Sequence, residues 1–117
     1  MRSVIILLAL FLILLGSNCY SIDRAEELVW FCQEESFTYN RGYCHGYLGG
    51  ILDAYAVISH SYPQAKFICL PKAGISGEQT KNIFIKWVKD HPEQQHIAPR
   101  TAVLLSLRDA FPCSSEK

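Results

Sequence analysis

The residues of this chain that could do chemistry are its thiols, its imidazoles and one acid within a helical run. Cys32, Cys44, Cys69 and Cys113 are scattered with no C-x-x-C among them, and His45, His60, His91 and His96 form no H-x-x-x-H pair. Zinc sites draw their cysteine ligands from close pairs, so the cysteine spacing argues against zinc; His91 and His96 bracket Pro92 and could bind a metal, contact a partner or favour a helix end as cations. His45 and Asp53 are two helical turns apart and could share a face. Cys44-His45 with a later aspartate faintly suggests a secreted phospholipase, but no glycine-rich calcium loop precedes it. G-x-S-x-G, H-E-x-x-H and P-loop patterns are all missing. The cysteines therefore read as structural, the histidines as helix-end or loop residues, and the chain as a binding module without a cofactor rather than an enzyme.

A disulfide framework needs an oxidising compartment, and the N-terminus offers a route there. Met1-Arg2 carries a positive charge, and Val4 to Leu15 is unbroken apolar sequence. That run is short for a bilayer-spanning helix and suits the apolar core of a signal peptide. The alternative, a buried core helix, lacks support because the run has no polar face. Cleavage after Cys19 or Ser21 would leave a small residue before the cut, so residues 1–21 read as signal peptide and 22–117 as one domain. Lipid attachment at Cys19 is disfavoured by Gly16 and Asn18. Cleavage removes Cys19 and leaves an even set of four cysteines, which reads as two bridges. The 11 basic and 11 acidic residues balance, so no basic stripe invites a nucleic acid. No second apolar run is long enough to span a membrane.

Helical signals dominate the remainder. Asp23 with Glu26 suggests a capped start for a first helix bearing Leu28, Val29 and Cys32. Glu34 to Gly42 reads as a loop, with Asn40-Arg41-Gly42 a turn. A second helix is expected from Tyr43 to Ser61, where Leu48, Ile51, Leu52, Tyr55 and Ile58 recur at helical spacing. Gly46, Gly49 and Gly50 each weaken that helix by about 1 kcal/mol relative to alanine, which suggests that another backbone approaches closely there. Asp53 reads as a partly buried acid that accepts hydrogen bonds from a neighbouring segment. Ser59 to Gly77 is a connector, with a possible short strand at Phe67 to Leu70.

Ser76 with Gln79 forms a capping box for a third helix carrying Ile83, Phe84, Trp87 and Val88, with Phe84 and Trp87 as core. His91 lies near its end, and Pro92 stops it. A fourth helix starts near Ala98 with Pro99 in its first turn. Val103, Leu104, Leu107, Ala110 and Phe111 line one face, and Pro112 ends it. The fold class is therefore all-α, a small four-helix domain cross-linked by two disulfides. Spacing alone leaves three cysteine pairings open. Short loops imply antiparallel neighbours, and that arrangement favours Cys32–Cys44 at one end of the bundle and Cys69–Cys113 at the other.

Several fragments then resemble one family. Cys44-His45-Gly46-Tyr47-Leu48-Gly49-Gly50-Ile51-Leu52-Asp53-Ala54-Tyr55 is similar to the C-x-G-Y segment of the Rap/Tai immunity proteins. Cys69-Leu70-Pro71, Ser76-Gly77-Glu78-Gln79, His91-Pro92-Glu93 and Ala110-Phe111-Pro112-Cys113 resemble further segments of that family, in the same order. The resemblance implies a helical, often dimeric protein exported to the periplasm, where it blocks a peptidoglycan amidase toxin delivered by type VI secretion. Such a toxin is a cysteine hydrolase whose active site the immunity protein occludes. Residues expected to be structural are Gly46, Gly49, Asp53, Pro71, Gln79, Pro92 and Phe111. The polar loop after the third helix directs attention to His91, Glu93, Gln95 and His96 as partner contacts, because loops on rigid scaffolds often carry function. Competing readings are a disulfide-bonded periplasmic chaperone or stress protein, a saposin-like lipid binder and, last, a small secreted hydrolase.

Overall fold

Apolar stripes at helical spacing resolve into four α-helices: α1 (Ala25–Gln33), α2 (Thr38–Ser61), α3 (Gly77–Asp90) and α4 (Pro99–Ala110). They are seen in a computed structural model that describes residues 21–34, 36 and 38–113. The expected signal segment, apart from Ser21, lies outside the described residues. Two 3-10 turns, Pro63–Ala65 and Pro92–Gln94, sit in the connections.

Each helix buries one face. Leu28 of α1, Leu48 of α2, Phe84 of α3 and Val103 with Leu107 of α4 are fully buried, together with Ile68 of the connector. The closest helix pair is α3 against α4, and α1 packs on α2, α3 and α4 alike. On α2 the buried residues are Asn40, Cys44 and Leu48, one ridge at four-residue steps. Further along the helix burial fades: Ile51, Leu52 and Tyr55 are half-buried and Ile58 is 51% exposed. The C-terminal part of α2 thus carries apolar residues that the fold does not cover.

The expected disulfides form, Cys32–Cys44 and Cys69–Cys113. The first pins α1 to α2. The second closes a backbone contact in which Cys69 N–H donates to the Phe111 carbonyl at 2.9 Å and Ile68 bridges antiparallel to Pro112. The segment Phe67 to Leu70 therefore finds a partner, though as an isolated bridge rather than a strand. Pro71 opens a turn that closes by Gly74 N–H donating to the Pro71 carbonyl at 2.8 Å, with Gly74 at φ 74°. That left-handed backbone is why glycine stands there.

Helix α3 starts at its capping box. Ser76 Oγ accepts from Gln79 N–H at 3.1 Å, and Gln79 Oε1 accepts from Ser76 N–H at 2.8 Å. His91 is the C-cap of α3, and Pro99 occupies the first turn of α4.

Four expectations need correction. The turn at Asn40-Arg41-Gly42 is helix, because α2 begins at Thr38 rather than Tyr43. Burial of Asn40 one turn before the buried Cys44 extends the ridge and overrides the local turn preference. Asp23 does not cap α1, whose N-cap is Arg24 without a side-chain cap bond. A Cβ added at Gly46, Gly49 or Gly50 would meet nothing within 4 Å, so no other backbone among the described residues approaches those glycines. Asp53 is exposed rather than partly buried, and no hydrogen bond among the described residues reaches its carboxylate. Gly46, Gly50 and Asp53 are exposed and Gly49 is half-buried.

Candidate functional site

The connection from α3 to α4 carries the four residues expected to meet a partner, and its backbone is tied down. The 3-10 turn Pro92–Gln94 closes through Gln94 N–H donating to the His91 carbonyl at 2.9 Å, and Ile97 N–H donates to the Gln94 carbonyl at 3.2 Å. The next carbonyls along reach across to α1. Ala25 N–H donates to Ile97 O at 2.9 Å and Glu26 N–H donates to Gln95 O at 3.1 Å. A helix start leaves its first N–H groups without intrahelical acceptors. Here the loop backbone supplies two acceptors in place of a capping side chain, which explains why Asp23 is not needed for that role.

The side chains divide by exposure. His91 is half-buried and stacks on Trp87 with ring centroids 4.3 Å apart. Its Nδ1 lies 2.8 Å from the Trp87 carbonyl. A carbonyl only accepts, so Nδ1 carries the proton and donates. Gln95 Nε2 donates to the Val88 carbonyl at 3.4 Å. Both residues brace the loop on α3. Glu93 and His96 are exposed. The structure thus presents Glu93 and His96 outward on a braced loop, while His91 and Gln95 face the helix beneath.

Behind the loop, Trp87 Nε1 donates to the Asp109 carboxylate at 2.8 Å and joins α3 to α4. That bond, helped by Arg108, holds the Asp109 carboxyl below its ordinary value against the opposing effect of burial.

A second polar feature was not anticipated from the sequence. Beside the Cys32–Cys44 bridge is a recess of about 170 Å³, lined by Glu34, Arg41, His45, Glu78 and Lys81 as well as the cysteines. Lys81 is buried at 8% exposure and its Nζ lies 2.6 Å from Glu78 Oε1. His45 Nε2 stands 3.8 Å from the other oxygen of Glu78. The hydrogen bond from Lys81 lowers the Glu78 pKa, opposed by desolvation and assisted by His45 and Arg41. Arg41 and His45 are one turn apart on α2, a spacing visible in the sequence; their meeting with α3 is not. A Cβ at Gly77 would come within 3.2 Å of His45 Nδ1, so glycine at the start of α3 lets the imidazole in.

The arrangement contains ion pairs and braced surfaces, and nothing in it joins a nucleophile to a base. Among the described residues no group of three or more His, Cys, Asp or Glu could hold a metal ion, and no helix is long and apolar enough to cross a membrane. Residues 24–113 match the family of Rap1a immunity proteins. The chain belongs to that family. The match begins at the N-cap of α1 and ends at Cys113, so it spans all four helices and both bridges. No curated protein and no solved structure matches the chain. For a Rap1a-family protein the surfaces that matter are those a secreted toxin can reach. The side chains of Glu93 and His96 on the α3–α4 loop are exposed, whereas within the recess the pair of His45 with Glu78 links α2 to α3 and Lys81 holds Glu78 from its own helix.

Proposed function

We propose that this protein is a periplasmic immunity protein that binds and inhibits a peptidoglycan amidase toxin delivered by type VI secretion. The observation that carries the reading is the family match over residues 24–113. The physical features agree with it. Two disulfides suit an exported protein, and a stapled scaffold loses less conformational freedom on binding, which favours a tight complex. The toxin-facing surface in this reading includes Glu93 and His96, with His91 and Gln95 holding the loop in place. Signal cleavage after Cys19 or Ser21 and association into a homodimer belong to the same proposal. Binding, not turnover, is the activity.

The test is inhibition. The oxidised protein is titrated into purified cell-wall amidases recovered from a type VI secretome, and release of peptidoglycan fragments is followed. Loss of activity at a stoichiometric ratio is the expected result. Failure to retain or inhibit any amidase would overturn the reading.

One observation favours a second reading. Val57, Ile58 and Tyr62 are more than half exposed, and an uncovered apolar surface is what a periplasmic chaperone would use. Suppression of aggregation of unrelated clients, without selective capture of a hydrolase, would support that alternative.

A further inference from the structure

Between the C-terminal half of α2 and the outer face of α4 runs an apolar trough. It consists of two adjoining hollows of about 310 Å³ and about 380 Å³ that share Phe67 and Leu104 as walls. Ile51 and Ile58 floor the first and Leu105 the second. Ile58 is 51% exposed and Phe67 40% exposed, so large apolar side chains stand open to water along its length. The charged residues lining it are both cations, Arg100 in the first hollow and Arg108 in the second.

Arg100, Leu104 and Arg108 fall on a single four-residue row of α4, with the two guanidinium-bearing residues about 12 Å apart along the axis. Arg100 makes no ion pair among the described residues. It also sits in the first turn of its helix, where the helix dipole disfavours a cation. Arg108 pairs with Asp109 through Nε and Nη2, both to Oδ1, which leaves Nη1 for a further acceptor. A single lipid head would satisfy one end of this trough and leave the other cation bare. A helical peptide with an apolar stripe and an acid about one turn to either side of its centre matches both ends and the middle.

We propose that this trough docks an amphipathic helical segment of the protein partner, apolar at its centre and acidic at both ends. The assignment of that partner as the toxin rests on the immunity reading above; the chemistry of the trough does not. It lies next to the α3–α4 loop, since Arg100 follows His96 by one turn of chain, so one partner could span both surfaces.

The probes are two synthetic 18-residue helices with leucines at three- and four-residue spacing. One carries glutamates eight residues apart and the other lysines at those positions. Binding to the oxidised protein is read by fluorescence anisotropy at low and high salt. The expected result is at least tenfold tighter binding of the glutamate peptide, with the advantage lost at high salt. The double variant Arg100→Glu, Arg108→Glu should invert the preference. Arg100→Glu alone, which leaves the Arg108–Asp109 pair intact, should weaken the glutamate peptide severalfold. Equal binding of both peptides, or capture of phosphatidylglycerol vesicles without a peptide preference, would overturn the trough as a peptide site. The same double variant is then tested against the amidase. Unchanged inhibition would overturn the trough as the toxin's seat and leave the immunity reading standing. Failure of the unaltered protein to inhibit any amidase would overturn the immunity reading and leave the peptide result intact.

Discussion

The indole N–H of Trp87 donates to the carboxylate of Asp109 at 2.8 Å, a side-chain bond from the buried face of α3 to the last turn of α4. Trp87 is 7% exposed while the Asp109 side chain is 41% exposed, so the pair spans the boundary of the core. Trp87→Phe should lower stability by about 1–3 kcal/mol, from the lost bond and the smaller ring. The Asp109 pKa lies below its ordinary 3.8, chiefly because of that indole. Stabilisation from a depressed carboxyl is complete above the unfolded value and is lost as pH falls through the lower folded value. Asp109→Asn should therefore flatten the stability profile below about pH 4; its loss is greatest at neutral pH, kept small there by solvent screening, and vanishes as pH falls through the lowered folded value. Urea denaturation across pH checks both; an unchanged acid limb in the asparagine variant would count against the assignment.

The hydroxyl of Tyr55 ties the connector to α2. It accepts from Phe67 N–H and from Ile68 N–H, each at 2.8 Å, and Ile68 is buried. Tyr55→Phe removes the acceptor for two backbone donors and should cost about 1–3 kcal/mol. Amide exchange should accelerate at Phe67 and Ile68 before it changes in α3. Equal acceleration throughout would mean that the hydroxyl supports the whole fold rather than the connector.

Local signals were readable where local physics decides. Ser76 and Gln79 cap α3 because the box needs only four residues, and Pro92 and Pro99 end and begin helices by their own stereochemistry. The cysteine pairing followed from antiparallel packing, since Cys69 and Cys113 flank the α3–α4 unit. Failures came where a distant segment decides. Asp23 was expected to cap α1, but the carbonyls of Gln95 and Ile97 reach the helix start first. Asn40 looked like a turn residue, yet its burial beside Cys44 draws it into α2. The recess around Lys81 depends on α2 meeting α3, which no spacing in either helix reveals. Gly46 and Gly49 read as packing glycines, and among the described residues they pack against nothing within 4 Å of a Cβ.

The two bridges should differ in their response to reductant. Cys32 and Cys44 are 4% and 0% exposed, whereas Cys69 and Cys113 are only half-buried. Exchange requires a thiolate to reach a sulfur, so access sets the order. Under limiting dithiothreitol, alkylation and mass spectrometry should find label on Cys69 and Cys113 first. The larger bridge closes a 44-residue separation against 12 for the smaller, worth roughly 4 against roughly 3 kcal/mol on the chain-entropy account. Cys69→Ser with Cys113→Ser should then unfold at lower urea than the oxidised protein while keeping its helical circular dichroism. Label appearing first at Cys32 and Cys44 would contradict the exposures.

Glu93 and His96 offer the sharpest separation between holding the fold and meeting a partner. Both are exposed, and neither side chain reaches α1 or α3; the loop's hold on α1 runs through backbone carbonyls, which alanine retains. Glu93→Ala with His96→Ala should therefore shift stability by no more than about 0.5 kcal/mol. The Ala25 and Glu26 amides, bonded to Ile97 and Gln95 carbonyls, should keep their exchange protection. Inhibition of the amidase should weaken by tenfold or more in the same variant. His91→Ala gives the opposite pattern, because its ring stacks on Trp87 and donates to the Trp87 carbonyl; it should destabilise α3's end by about 1 kcal/mol and weaken inhibition only through the loosened loop. A double variant that folds normally and inhibits normally would move the toxin-facing surface away from this loop, leaving the trough between α2 and α4 as the surface to test.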